Sequence, residues 1–259
     1  MPQVHVAISA GANGIGRGLA EAFIQAGAQV AVCDVDDVAL AEFKDTHPEP
    51  IAMRTDVGDP EQVDDFFDRI ETNFGRLDIL INNAGIAGPT ARLENVSVVD
   101  WQDTINIDLN SFFYCSRRAI PLIRKSGQGS IVNIASNAAF FGFPLRSPYA
   151  ASKWGVIGLT KTLAMELGPE NIRVNAICPG SVEGPRIDGV ISRDAEARGL
   201  SIEAVTREYK SQASMRCFVS NEDIISMVTF LTSDAGRRIS GQAIGLDGHT
   251  EGLSLGLER

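Results

Sequence analysis

Short apolar runs alternate with longer amphipathic runs along the whole chain. The short runs are rich in Val, Ile, Leu and Ala, which is typical of strands, and the stretches between them carry helical periodicity. The seven predicted strands are 4–9, 29–34, 51–54, 77–82, 130–135, 173–178 and 243–246. Several of these, including 79–81 and 131–134, are almost continuously apolar, which favours a parallel sheet covered on both faces.

This alternation predicts an α/β protein with a doubly wound, mostly parallel seven-stranded sheet and helices on both faces. No repeat or linker divides the chain, so we expect residues 1–259 to form a single domain. A long segment between two strands, at about 180–220, holds helix-like pieces at 187–198 and 202–215. An insertion of that length is usually functional, and we expect a lid over the substrate.

The charge balance narrows the class of partner. The 259 residues carry 33 acidic and 23 basic side chains, a formal net charge of −10. A nucleic-acid binder needs a basic surface, so this composition argues against a nucleic-acid partner and favours a small-molecule substrate. The sequence shows no apolar segment typical of a membrane span or a signal peptide, so we expect no membrane partner.

Cysteine and histidine usage adds two expectations. Four cysteines are scattered without a C-x-x-C pair: Cys33, Cys115, Cys178 and Cys217. We expect them to be reduced, as in a cytoplasmic protein. The three histidines show no ligand spacing, so we expect no metal.

A glycine-rich turn follows the first predicted strand and precedes a helical pattern. Residues 9–16 read Ser-Ala-Gly-Ala-Asn-Gly-Ile-Gly. Glycines there let the backbone approach a pyrophosphate, which the amide N–H groups and the helix dipole would stabilise. We expect cofactor contacts from Asn13, Gly14, Ile15 and Gly16, although a plain strand-to-helix turn has the same glycine content.

An acid closes the second predicted strand. Asp34 lies about twenty residues beyond the glycines, where a carboxylate accepts hydrogen bonds from the adenosine ribose hydroxyls. A negative charge there repels a 2′-phosphate, and no Lys or Arg stands beside it, so NAD is preferred over NADP. The alternative is a solvated turn acid among Asp36 and Asp37.

Two further strand ends offer cofactor contacts. Asp56 and Val57 follow the third strand and are placed to contact the adenine. Asn83, Ala84 and Gly85 follow the fourth and are placed to line the cofactor. The adjacent amides at 82 and 83 could instead only connect neighbouring loops.

The pattern Tyr149-x-x-x-Lys153 puts a phenol and an ammonium on one face of a helix. The nearby cation favours the phenolate, so the pair can transfer a proton. Ser136 follows an apolar strand, where its hydroxyl could hold a substrate oxygen beside the phenol. The alternative is a solvated lysine next to a half-buried tyrosine.

Together these motifs resemble the short-chain dehydrogenase/reductase family in its classical form, over nearly the whole chain. The resemblance implies a three-layer Rossmann fold and hydride transfer between a nicotinamide and a carbinol or carbonyl carbon. It makes Tyr149 the acid/base and Lys153 its activator and a contact to the nicotinamide ribose. It also makes Ser136 the group that orients the substrate oxygen, and places Pro179 and Gly180 along the cofactor.

The chain departs from the family pattern at two backbone positions. Ala10 stands where the family carries the first glycine of its phosphate turn, which we expect to be tolerated only with a negative φ. Gly184 stands where the family often has a threonine that bonds the carboxamide of the nicotinamide. The backbone of Val182 can still anchor that amide.

A third departure concerns the fourth catalytic residue, an asparagine in the family. Asp108 stands at that position, and an aspartate supplies the same main-chain carbonyl for the proton relay. Asn106 and Asn110 flank it, and a slip of register would make either the functional amide.

Substrate signals are few. Arg146 and Arg186 flank the predicted cleft and could bind a carboxylate or phosphate, which favours a small polar substrate: a sugar derivative, polyol or hydroxy acid. Both arginines could equally be surface or intersubunit residues. Because Phe140, Phe141 and Phe143 lie in the same loop, a hydrophobic or aromatic secondary alcohol is the alternative.

The resemblance also implies an oligomer. Family members of this size are commonly tetramers built through two long helices, here those after Trp101 and Pro148. We expect a homotetramer, with a dimer as the alternative. A function of another class also stays open: an NAD-binding regulatory module whose chemistry has lapsed, motivated by Asp108 and Gly184.

Overall fold

The computed structural model describes residues 3–251, with the side chains of Arg186 and Ala197 outside the described part. Its seven strands are β1 (His5–Ser9), β2 (Gln29–Asp34), β3 (Ile51–Arg54), β4 (Ile79–Asn82), β5 (Gly129–Ile134), β6 (Ile172–Pro179) and β7 (Ala243–Leu246). They form one sheet in the order β3-β2-β1-β4-β5-β6-β7, and every neighbouring pair is parallel. The predicted doubly wound sheet is therefore confirmed.

Helices fill the gaps between the strands. Those in the described residues are α1 (Gly14–Gln25), α2 (Asp37–Thr46), α3 (Pro60–Phe74), α4 (Val98–Ile105), α5 (Ser111–Arg124), α6 (Ser147–Leu167), α7 (Pro185–Arg198), α8 (Ile202–Ser211) and α9 (Asn221–Thr232). A π-helical turn, Asn106–Asn110, joins α4 to α5. Such turns occur frequently at functional sites.

Each face of the sheet has its own apolar core. In β1, Val6 and Ile8 pack into the cluster formed with α1, α2 and α9, whereas Ala7 packs into the cluster formed with α3, α5 and α6. Successive side chains of a strand point to opposite faces, so a strand buried on both faces has to be apolar throughout. This explains the continuous apolar runs in the sequence.

The connections leave β1 in two directions. β2 and β4 are its neighbours on either side, so the chain order reverses between β1 and β4. In open α/β sheets, ligands bind at such a reversal, beyond the carboxyl ends of the strands. The topology therefore fixes where a site can form.

The segment after β6 carries two helices, α7 and α8, with a small core of their own around Ile191, Ala195 and Val205. The prediction that the second helix extends to residue 215 is wrong, because α8 ends at Ser211. Beyond it, the N–H group of Met215 donates to the carbonyl oxygen of Gly248, which takes the chain out of the helix.

All four cysteines are free, as expected for reduced thiols, and only Cys217 is exposed. Burial raises the pKa of Cys115 and of Cys178 to about 12, so both thiols stay protonated near neutral pH. Within residues 3–251, no helix combines the length and apolar character that a membrane crossing requires.

Candidate active site

The glycine-rich turn of residues 9–16, called the phosphate turn below, is tightly packed around its last glycine, Gly16. A Cβ at Gly16 would lie 2.0 Å from the carbonyl oxygen of Ala10 and 2.8 Å from Nδ2 of Asn83, so no larger residue fits. Asn13 caps α1, and its side chain accepts the N–H of Gly14 at 2.7 Å. The arrangement presents the positive end of α1 at the carboxyl edge of the sheet, which suits a pyrophosphate.

Ala10 has a φ of +49°, so the expectation of a negative φ there is wrong. Contacts on both sides fix this conformation. The N–H of Gly11 donates to the carbonyl oxygen of Cys33 at 3.0 Å, and Nδ2 of Asn83 donates to that of Ala10 at 3.1 Å. The left-handed region costs a residue with a Cβ about 1–2 kcal/mol, which the surrounding contacts offset.

Asp34 is buried at the end of β2, with 8% exposure, so it is no solvated turn acid. Its Oδ2 accepts the N–H of Ala12 at 3.1 Å, and its Oδ1 accepts the N–H of Asp36 at 3.2 Å. An ionised carboxylate has about four acceptor positions, so these bonds leave capacity for hydroxyl donors. The first bond ties the carboxylate to the phosphate turn.

The loop after β4 is bound to the end of β1. The Oγ of Ser9 accepts the N–H groups of Asn83 at 2.9 Å and Ala84 at 3.1 Å, while Nδ2 of Asn83 donates to two carbonyl oxygens of the phosphate turn. The Asn83 side chain thus connects neighbouring loops, and its contact with the cofactor stays a prediction. Sequence reasoning missed Ser9, whose only signal was a hydroxyl at the end of β1.

A buried polar network lies directly beneath this loop. Nδ2 of Asn82 donates to Ser116 at 3.2 Å and to Oδ1 of Asn133 at 2.8 Å, and Nδ2 of Asn133 donates to Thr160 at 2.9 Å. The chain of bonds joins β4 and β5 to α5 and α6. The bond to Thr160 therefore fixes α6 relative to the two central strands.

Tyr149 and Lys153 lie on the same face of α6. The Nζ of Lys153 is 5.5 Å from the ring centroid of Tyr149 and 5.4 Å from that of Phe112. Lys153 is only 3% exposed, so the alternative of a solvated lysine is wrong. A buried ammonium beside a phenol is the electrostatic arrangement that proton transfer requires.

Asp108 lies inside the π-helical turn and is fully buried. Its Oδ1 accepts the N–H of Ile86 at 2.7 Å. A Cβ at Gly85 would lie 3.3 Å from that Oδ1 and 3.3 Å from Nζ of Lys153, so the carboxylate and the ammonium flank one backbone position. Asn106 is directed elsewhere, donating to the carbonyl oxygen of Gly58 at 2.8 Å.

Ser136 is nearly buried just beyond β5, and its Oγ accepts the N–H of Ala138 at 3.2 Å. The next side chain, Asn137, donates to Asp247 at 3.4 Å, and a Cβ at Gly180 would lie 2.8 Å from Cβ of Asp247. Asp247 therefore joins the Ser136 turn to the end of β6. Sequence reasoning missed this residue, which follows β7 without any recognisable motif.

Where the α7–α8 segment leaves the sheet, Val182 and Val219 form a parallel β-bridge. Its two hydrogen bonds join Val219 to the neighbours of Val182: the N–H of Glu183 donates to the carbonyl oxygen of Val219, and the N–H of Val219 donates to that of Ser181. The N–H and C=O of Val182 therefore point away from Val219. Gly184 has a φ of +127°, a conformation that the family's threonine rarely adopts. Arg186 lies in α7, but its side chain is outside the described part.

Two remaining predicted residues have structural partners of their own. The Oδ1 of Asp56 accepts the N–H of Gly58 at 2.9 Å, and Val57 is buried beside it. Arg146 stands above Tyr149, with its Cζ 5.0 Å from the ring centroid, and its Nη2 donates to the carbonyl oxygen of Ala87 at 2.6 Å. Asp56 thus lies beyond the end of β3, and Arg146 lies beside Tyr149 at the start of α6.

A family model described as enoyl-(acyl carrier protein) reductase matches residues 9–250. Trans-4-hydroxycyclohexanecarboxylate dehydrogenase of Sinomonas cyclohexanicum is 37% identical over 259 residues, 96% of this chain and 93% of that protein. 3-Oxoacyl-(acyl-carrier-protein) reductase FabG of Thermotoga maritima is 34% identical over 247 residues, 93% of this chain and 95% of that protein. The structure of NAD+-bound xylitol dehydrogenase superposes with a TM-score of 0.87 at 26% identity, covering 95% of this chain and 98% of that one.

The fold, the phosphate turn and the Tyr149–Lys153 pair define an oxidoreductase that acts at a hydroxyl-bearing carbon with a nicotinamide cofactor. The chain belongs to the short-chain dehydrogenase/reductase family, as the family match over residues 9–250 and relatives above 30% identity show.

The strain at Ala10 gives a stability prediction. Ala10→Gly should raise the free energy of unfolding by about 0.5–1 kcal/mol, because glycine adopts a positive φ without a steric penalty. The matched control is Ala41→Gly, on the exposed side of α2, which should lower that free energy by about 0.5–1 kcal/mol. Urea denaturation distinguishes the two, and a loss of stability in Ala10→Gly would contradict the strain.

Proposed function

We propose that this enzyme is an NAD-dependent dehydrogenase that interconverts the secondary alcohol and ketone of a small polar substrate. The observation that carries the proposal is the burial of Lys153 beside the ring of Tyr149 at the carboxyl edge of the sheet. A buried charge is costly unless it is paired or serves a purpose, and strongly buried ionisable groups concentrate at functional sites.

The residues at the strand ends fit a dinucleotide. The open surface at Gly14, where a Cβ would meet no atom within 4 Å, and the amide groups at the start of α1 suit the pyrophosphate, and the acceptors of Asp34 suit the ribose. When bound, NAD supplies the nicotinamide ring that takes up or returns a hydride. Further proposed contacts are Asn13, Gly14, Ile15, Asp56, Val57, Asn83, Ala84, Gly85, Pro179, Gly180 and Val182.

The chain's own residues would handle the proton. Ser136 orients the substrate oxygen, and the oxygen of Tyr149 takes the hydroxyl proton during oxidation and returns it during reduction. Lys153 favours the phenolate and holds the nicotinamide ribose. Asp108 supplies the main-chain carbonyl that continues the proton path, and its carboxylate holds the loop at Ile86.

For the substrate we propose a sugar-derived, polyol or hydroxy-acid alcohol, with an anionic group received by Arg146 and Arg186. The named activities of two proteins support this class: hydroxycyclohexanecarboxylate dehydrogenase acts on a hydroxy acid, and xylitol dehydrogenase on a polyol. A hydrophobic or aromatic alcohol is the second candidate, favoured by Phe143, whose ring is 6.4 Å from that of Tyr149.

We further propose that the chain works as one domain in a cytoplasmic homotetramer or dimer, with residues 180–220 as its lid. Exposed apolar side chains on the long helices support an oligomer. Phe113 on α5 and Trp154 on α6 are each about half exposed, at 51% and 52%, and Val99 on α4 is 64% exposed. Burial against a second copy would remove this apolar surface from water.

Replacing the phenol tests the reaction. Tyr149→Phe should lower turnover by about 10²–10⁴-fold, the usual contribution of a general acid–base group, while NADH binding stays unchanged. Turnover is followed by NADH absorbance with trans-4-hydroxycyclohexanecarboxylate, xylitol and related hydroxy acids and polyols. Tyr114→Phe on α5 is the control and should retain full activity. An active Tyr149→Phe would refute the mechanism, and a wild type inactive on the whole panel would favour the lapsed regulatory module.

Cofactor preference tests the role of Asp34. The wild type should bind NADH more tightly than NADPH, and Asp34→Ser should weaken NADH binding by about 10- to 100-fold, because bonds to a charged acceptor are lost. NADPH binding should improve in the same variant as the repulsion disappears. Asp37→Ser removes an exposed charge nearby and should leave both affinities unchanged. Fluorescence titration measures them, and equal wild-type affinities would contradict the ribose argument.

A further inference from the structure

Arg146 is a second cation beside the ring of Tyr149, in addition to Lys153. Its Cζ is 5.0 Å from the ring centroid of Tyr149 and 5.3 Å from that of Phe143. Lys153 lies one helical turn after Tyr149, whereas Arg146 lies just before α6 begins. The ring of Tyr149 therefore has two cations close to it, one from just before α6 and one from within it.

The backbone holds Arg146 in this position. Its N–H donates to the carbonyl oxygen of Phe143 at 3.2 Å, and the preceding Leu145 has a φ of +63°. The carbonyl oxygen of Leu145 accepts the N–H of Ala91 at 2.9 Å, while Nη2 of Arg146 donates to that of Ala87. A leucine in the left-handed region is uncommon, and it persists here because both sides of the turn are bound.

Several other charged or titratable groups surround these residues. Asp108 faces Lys153 across Gly85. On the lid side, Arg146 acts on Tyr209 of α8, whose pKa is raised by burial and by Asp194 and lowered by Arg198 and Arg146. The neighbouring groups are therefore Lys153 beside Tyr149 and Tyr209 beside Arg146. Asp108 lies next to Lys153, and Asp194, Arg198 and Glu208 act on Tyr209.

The attraction between a guanidinium and a phenol ring depends on whether the phenol hydroxyl keeps its proton. A cation over the face of an aromatic ring is attracted by its electron density, without touching the hydroxyl. When the phenol loses its proton, the ring carries a full negative charge and the attraction becomes stronger. Because a guanidinium stays protonated at all ordinary pH values, its effect on Tyr149 is constant.

We propose that Arg146 is a positioning residue that acts through Tyr149: its guanidinium lies over the ring and, together with Lys153, stabilises the phenolate. This role of Arg146 is additional to the substrate contact proposed above. Its consequence for catalysis rests on the proposed function. Proton loss from Tyr149 can nevertheless be measured without substrate or cofactor, so the two ideas can fail separately.

Ultraviolet difference titration of tyrosinate tests the proposal on the full chain. The protein has three tyrosines, and subtracting the curve of Tyr149→Phe leaves the titration of Tyr149. Arg146→Met, which removes the charge and keeps the aliphatic length, should move the midpoint of Tyr149 upward by about 0.5–1 pH unit, given the usual strength of a cation over a ring. Arg146→Lys keeps a charge and should restore part of the shift.

Two further variants make the result decisive. Arg146→Gln is also neutral but keeps an N–H donor for Ala87, so it replaces Arg146→Met if that variant fails to fold. Arg124→Met removes an exposed arginine paired with Glu170, before β5 begins and hence at the opposite end of the sheet, and should leave the midpoint unchanged.

Three results would overturn the proposal: a midpoint in Arg146→Met and Arg146→Gln equal to that of the wild type, an equal shift in Arg124→Met, or no rescue by Arg146→Lys. Failure of the proposed function shows differently. The wild type would then form no NADH on the substrate panel, while the shift in the tyrosinate titration would remain.

Discussion

One constraint governs this molecule: all seven strands are parallel, so their carboxyl ends share one edge of the sheet. Residues far apart in sequence are thereby brought to the same edge: Asp34 at the end of β2, Ser136 after β5 and Val182 after β6. The amide chain from Asn82 through Asn133 fixes α6 to the central strands, so the Tyr149 face of that helix lies over this edge. Any substitution that disturbs the network would affect the site as a whole.

Burial strengthens the electrostatic interactions of the charged residues at this edge. Asp34, Asp108 and Lys153 are each exposed by less than a tenth, so water screens them weakly. Asp34 is held by two backbone N–H groups, and Asp108 by one that belongs to the loop beside Lys153. The acidic Asp34 at the end of β2 and the basic Lys153 in α6 are thus both held in place close to the carboxyl edge of the sheet, which suits the proposed dinucleotide.

Much of this arrangement could be predicted from the sequence, because its signals are local. Strand positions followed from apolar runs, and the phosphate turn and the Tyr149–Lys153 pair followed from short spacings. The positive φ of Ala10 could not be predicted, since it depends on bonds from Gly11 to β2 and from Asn83 to the turn. The stacking of Arg146 on Tyr149 depends in the same way on distant backbone at Ala87.

The central claim is that the carboxyl edge of the sheet binds a dinucleotide from Asp34 to Tyr149. A crystal structure of the protein grown with NAD tests it most directly. We expect the adenosine ribose hydroxyls at Asp34, the pyrophosphate at the start of α1 and the nicotinamide beside Tyr149 and Lys153. A dinucleotide bound elsewhere on the protein, or the reverse orientation along this edge, would contradict the account.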